Sequence, residues 1–282
     1  MHFISSLKKA GLFAAALALT LTACKPASDK TGVSGDDGGS GYASDLSRIE
    51  LVSNDVISLA DAAGYLYNGA YMKGTTGICA TVGTDTLSSP HQLTIRFGDK
   101  DVTCLDGRTR RGTIIIKYSG EYTDTADMHV ITFDNYYVNG NQFSGSIKAT
   151  RVDTTEVGGY WYYKLAINDS LNMSPDPLKS QYIVWSANLV RRWIVGQSTN
   201  DRSDDVFSVS GNGNITRANG HVYAINIAVP LQFALNCDFA EAGVANVTSY
   251  LGTRILSYGS GSCDPYAQLS IGVNTYQLTM VK

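Results

Sequence analysis

The chain is 282 residues long, carries a formal net charge of −3 at pH 7, and only 17% of its residues are charged. That balance argues against a polyanion-binding surface, so nucleic acid is not an expected partner. Glutamate occurs at four positions only, 50, 121, 156 and 241, whereas Tyr, Thr, Gly, Asn and Asp are abundant, so strand and turn formers dominate and an all-β fold is expected.

The first element is an address. Lys8 and Lys9 precede an uncharged, Ala- and Leu-rich run from Leu12 to Leu21, long enough for a signal-peptide core and too short to span a bilayer. The run ends in Leu21-Thr22-Ala23-Cys24, which resembles the lipobox of bacterial lipoproteins. The resemblance implies cleavage after residue 23 and a lipidated, palmitate-bearing Cys24 that holds the protein to a membrane, with an ordinary secretory signal as the alternative. Several alkyl chains at about 0.8 kcal/mol per buried methylene make such attachment effectively permanent. Residues 24–44 are rich in Gly, Ser and Asp and read as a flexible tether.

Residues 45–72 form a helical segment. Val56, Ile57, Leu59, Ala60, Ala63 and Leu66 recur at spacings of three and four, and Ser53-Asn54-Asp55 offers an N-cap, so a short helix is expected from about Asn54 to Tyr67. It would serve as a lid on the β domain. Residues 73–282 form that β domain. Alternation at Leu93, Ile95 and Phe97, at Ile114, Ile116 and Tyr118, and at Phe143, Ile147 and Ala149 marks half-buried antiparallel strands. Asn139-Gly140 and Asn219-Gly220 mark hairpins. An antiparallel sandwich or a curved open barrel is the expected architecture.

With Cys24 set aside, four cysteines remain: Cys79, Cys104, Cys237 and Cys263. The pairs are offset by 158 and 159 residues, and in both an apolar strand and an aromatic-glycine step lead to cysteine and then aspartate. This predicts two similar β repeats, about 73–172 and 182–282. In an oxidising envelope compartment four cysteines imply two disulfides. Of the three possible connectivities, Cys79–Cys104 and Cys237–Cys263 put one bridge in each repeat. No Cys-x-x-Cys or adjacent histidine points to metal, and no cofactor is expected.

The stretch from Phe97-Gly98 through Asp106-Gly107-Arg108-Thr109-Arg110-Arg111-Gly112, the run Ile131 to Tyr136, and the tail Tyr258-Gly259-Ser260-Gly261-Ser262-Cys263-Asp264 are similar to predicted envelope lipoproteins of the Bacteroidota. The resemblance covers most of the mature chain. It implies an outer-membrane lipoprotein, facing the periplasm or the cell surface, and carries over no catalytic residue.

Chemistry-bearing patterns are sparse. The chain has no Gly-x-Ser-x-Gly elbow and no His-Glu-x-x-His pair, and His91, His129 and His221 stand far apart in sequence. Arg108 and Arg110 are expected to pair with nearby aspartates, with an anionic ligand as the alternative. Asn200 to Asp205 clusters oxygens in what reads as a solvated turn, calcium being the alternative. Tyr160 and Tyr162 would share one strand face and form a ligand platform, while Trp161 and Tyr163 face the core. The expected function is a lipid-anchored, non-catalytic β module that binds a glycan, protein or envelope component; the alternative is an envelope hydrolase acting on polysaccharide or peptide.

Overall fold

The structure is a computed structural model that describes residues 40–67, 79–122, 128–152, 161–173, 181–199 and 202–280. Cys24, Tyr160, and residues 200 and 201 of the oxygen-rich turn lie outside the described residues.

Among the described residues the protein is all-β apart from one α-helix and a short 3-10 helix, Arg202–Asp204. Thirteen antiparallel strands form one sheet in chain order: β1 (Thr81–Asp85), β2 (His91–Thr103), β3 (Thr109–Tyr118), β4 (Met128–Val138), β5 (Asn141–Val152), β6 (Tyr162–Asn172), β7 (Tyr182–Val195), β8 (Val206–Arg217), β9 (Val222–Ala234), β10 (Ala242–Ser249), β11 (Gly252–Ser260), β12 (Tyr266–Ile271) and β13 (Asn274–Thr279). Each strand pairs with its chain neighbour, so every connection is local. The sheet is not closed into a barrel. Of the two expected architectures it is the curved, open one and not the sandwich, since no second sheet faces it among the described residues.

The alternation that marks the strands is one-sided burial. In β6, Tyr163, Leu165, Ile167, Asp169 and Leu171 point inward and are buried, while Lys164, Ala166 and Asn168 are exposed; β7 repeats the pattern from Ile183 to Trp193. The inward rows pack on helix α1 (Ser40–Tyr67). Sheet coiling makes this possible. Arg108, at the start of β3, pairs with Asp238, between β9 and β10, at 3.3 Å. On a flat sheet, six strand spacings of about 4.8 Å would hold those segments roughly 29 Å apart. Twist and bulges bring them together. At Gly145 in β5, φ is +113° and an added Cβ would strike the backbone of Asn168 and Asp169 on β6, so only glycine permits that close approach.

Helix α1 differs from its sequence reading in length and place. It runs 28 residues and begins at Ser40, inside the stretch assigned to the tether and fourteen residues before Asn54. Tyr42, Leu46, Ile49, Ser53, Val56, Ala60 and Ala63 follow one another at spacings of four and three and are all buried. From Gly41 to Gly64 no residue is exposed. The helix is therefore an interior element held by the coiled sheet, not a lid. Asn54 is no cap: it lies within the helix, and its side-chain amide donates to the Glu50 carbonyl at 2.9 Å.

Cys79 meets Cys104 with Cα atoms 5.1 Å apart, and Cys237 meets Cys263 at 5.7 Å. Each pair flanks a hairpin, β1–β2 in the first case and β10–β11 in the second, so the 158-residue offset superposes two disulfide-flanked hairpins. The repeat boundaries 73–172 and 182–282 do not follow this equivalence. The first hairpin opens its half, whereas the second lies in the middle of its own, and the halves join in one ladder from Tyr162↔Arg192 to Asn172↔Tyr182.

Conversion of Cys237 and Cys263 to serine is expected to lower stability by about 3 kcal/mol, because the bridge restricts a separation of 26 residues in the unfolded chain. Urea unfolding, with the free energy taken from midpoint and m value together, is the measurement. An unshifted midpoint would show that the strand ladders alone hold this hairpin.

Candidate functional site

The helix carries four acidic residues, Asp45, Glu50, Asp55 and Asp61, and the sheet supplies arginines to three of them. Asp45 accepts from Arg217 Nε of β8. Asp61 accepts from Arg191 Nη1 of β7 at 3.2 Å, while Arg191 Nη2 donates to Ser58 and the guanidinium lies 3.4 Å from the centre of the Phe207 ring. Asp55 accepts from Arg110 Nη2 through both oxygens, at 2.7 and 2.8 Å.

Arg110 is the hub. It also reaches Asp106 at 3.0 and 2.6 Å, and its side chain is only 1% exposed. Arg108 binds Asp55, Asp106 and Asp238. The two arginines of the sequence motif therefore pair with a nearby aspartate, as read, and with two distant ones that only the fold brings to them. Burial acts to raise the Asp106 pKa, but hydrogen bonds and charge from Arg110 and Arg108 outweigh it and hold the carboxyl down at about 2. The same carboxylates raise the Arg110 pKa against the cost of burial.

Glu50 has no such partner. Both its carboxylate oxygens are buried without a hydrogen bond, and burial pushes its pKa up to about 8. It borders a small cavity of about 10 Å³ together with Ser53, Ile57, Leu165, Ile167 and Trp185. Beside it, Asp169 of β6 accepts a long 3.4 Å bond from Ser53, leaves its other oxygen unbonded, and is likewise driven upward by burial. Tyr258 of β11, bonded to Ser47 at 3.2 Å, feels the Glu50 charge.

A second cavity opens along the other flank of the helix. It is a shallow groove of about 30 Å³ with an apolar floor of Leu51, Val52, Val138 and Leu171, flanked by Asn139 and Asn141. Arg48 and Arg108 border it, and so does Asp55. Arg108 and Asp55 are committed to the ion-pair network. Arg48 is not: its hydrogen bond runs from Nη1 to the thioether sulfur of Met173 at 3.2 Å.

The remaining sequence candidates fall elsewhere. His91 and His129, far apart in sequence, meet around one tyrosine. Both rings pack edge-on to Tyr118, and His129 stacks on Tyr122 with centroids 4.1 Å apart. His91 Nδ1 also lies 2.9 Å from the Gly120 carbonyl. His221 packs on Tyr250. These are aromatic contacts of strand ends. Tyr162 lies partly buried on the outer face with the Arg192 guanidinium 5.2 Å from its ring centre. Tyr163 is core, as read, and Trp161 is half-covered under Arg151 at 3.3 Å. Asp204 accepts from Thr199, and Asp205 accepts the Trp193 indole N–H at 2.9 Å, so the two described aspartates of the turn, out of three, have protein partners. Cys237 and Cys263 converge with Glu241, but the two sulfurs are joined to each other and are not thiolate ligands.

Neither Glu50 nor Arg48 stood out in the sequence. Their signal is a charged residue within a buried helix, and it is readable only once the helix is known to have no solvent face. Comparison of the chain with protein-family profiles, with curated protein sequences and with solved structures finds no match.

Proposed function

We propose that the chain is a lipid-anchored, non-catalytic β module of the bacterial outer membrane that binds an envelope component, a glycan or a protein. The groove beside α1 carries the reading. It combines an apolar floor with a few polar groups, the kind of lining usual for small-ligand sites. Location rests on the lipobox-like Leu21 to Cys24; no helix among the described residues is long and apolar enough to cross a membrane. The hydrolase alternative asks for acid–base groups that reach substrate. The buried carboxyls with raised pKa, Glu50 and Asp169, are sealed between helix and sheet, which favours binding.

Two measurements test this. Cells fed radioactive palmitate should label the wild type and not Cys24→Ala, and an unlabelled wild type would remove the anchor. Purified mature protein should capture an envelope glycan or protein from an array without turning over a panel of polysaccharide and peptide substrates. Turnover there would replace the binding reading by the hydrolase.

A further inference from the structure

We propose that the groove beside α1 is a site for a small carboxylate with a short apolar body, its carboxylate held by Arg48. The inference rests on the binding reading above and names the ligand class for that groove.

The argument begins with the arginines. Arg110, Arg191 and Arg217 all face the helix and each is neutralised by an aspartate of the helix. Arg48 comes from the helix itself, is half-buried, and points its recorded hydrogen bond at the sulfur of Met173. A guanidinium offers five donors in a planar fork, and a thioether is a weak acceptor. The carboxylate one turn back, Asp45, is engaged by Arg217. Among the described residues Arg48 thus borders the groove as a partly desolvated cation without a strong acceptor, and the group that matches such a fork is a carboxylate or phosphate oxygen pair.

Two features favour the carboxylate. One cation calls for one negative charge, and the other charged groups at the rim, Arg108 and Asp55, already neutralise each other and their neighbours. A phosphate dianion would bring surplus charge next to Asp55 and Asp106. The floor of Leu51, Val52, Val138 and Leu171 then sets the rest of the ligand: a short aliphatic body gains by leaving water there, while a sugar ring would lose hydrogen bonds over it.

The test uses the mature, unlipidated chain and three probes, sodium hexanoate, hexanol and hexyl phosphate, read by methyl resonances of Leu51, Val52, Val138 and Leu171 and by calorimetry. Hexanoate is expected to shift those resonances saturably and hexanol to leave them in place. Arg48→Gln should weaken hexanoate roughly tenfold to a hundredfold, the effect of losing a charge-assisted bond. Arg48→Lys, which keeps the charge and loses the fork, should fall between, and unchanged circular dichroism and melting would confirm that both variants fold. Equal shifts with hexanol, tighter binding of hexyl phosphate, or hexanoate binding that ignores Arg48→Gln would each overturn the proposal. An array ligand that binds wild type and Arg48→Gln alike keeps the module reading while removing this groove from it; failure of array and hexanoate together removes both.

Discussion

Replacement of Arg110 by alanine is expected to destabilise the protein by about 3–5 kcal/mol, the largest effect of any single side chain outside the apolar core. The residue joins three elements at once. Its guanidinium binds Asp55 on α1 through two oxygens and Asp106 in the β2–β3 turn, and Arg108 extends the same network to Asp238 near the second disulfide. Truncation leaves the Asp55 carboxylate, with a side chain only 9% exposed, facing a void with Arg108 as its remaining cation. The sign with pH follows from Asp106. Its carboxyl is held at about 2 in the folded protein against an ordinary 3.8, so its contribution is present above pH 3.8 and fades as pH falls through 2. Chemical denaturation of wild type and Arg110→Ala at pH 7 and pH 2 should show the gap narrowing at the lower pH. A gap of equal size at both would mean that packing on Phe97, 5.9 Å away, carries the effect in place of charge.

Replacement of Glu50 by glutamine is expected to act in the opposite direction. Folded Glu50 keeps its proton up to about pH 8, against an ordinary 4.5 in the unfolded chain. Between those values the unfolded state binds fewer protons, so the contribution of Glu50 is fully present below pH 4.5 and is lost as pH rises to 8, at about 1.4 kcal/mol per pH unit. Glutamine does not ionise. The stability of Glu50→Gln relative to wild type should therefore rise steadily from pH 5 to pH 8. Taking the difference cancels the parallel contribution of Asp169, whose pKa burial also raises. A difference that stays constant across this range would mean that Glu50 is not desolvated between Ser47, Ser53, Tyr258 and the sheet.

These two residues show where a sequence stops being legible. Strand alternation is a property of neighbouring residues, so rows such as Tyr163, Leu165 and Ile167 announce themselves, and the turn at Asn139-Gly140 follows from two residues that both tolerate positive φ, here +49° and +76°. The cysteine spacing likewise pointed to the pairs that meet. Helix α1 was legible only in its second half. Its first turn read as tether because Ser40, Gly41 and Ser44 are linker residues in composition. The fold cancels that inference: Asp45 meets Arg217 from 172 positions away, and Asp55 meets Arg110 from 55.

Sequence alone determined the all-β class, the hairpin signals and the number of disulfides, because each depends on local periodicity, turn chemistry or the parity of a small set. Tertiary structure alone decided that the strands form a single coiled sheet around a buried helix, that three of the four helix acids are neutralised and one is not, and that Arg48 is left bordering a groove. The physical reason is that charge compensation is a matter of distance. Coiling brings together groups that a flat sheet would hold tens of ångströms apart, and no periodicity in the chain records which of them will meet.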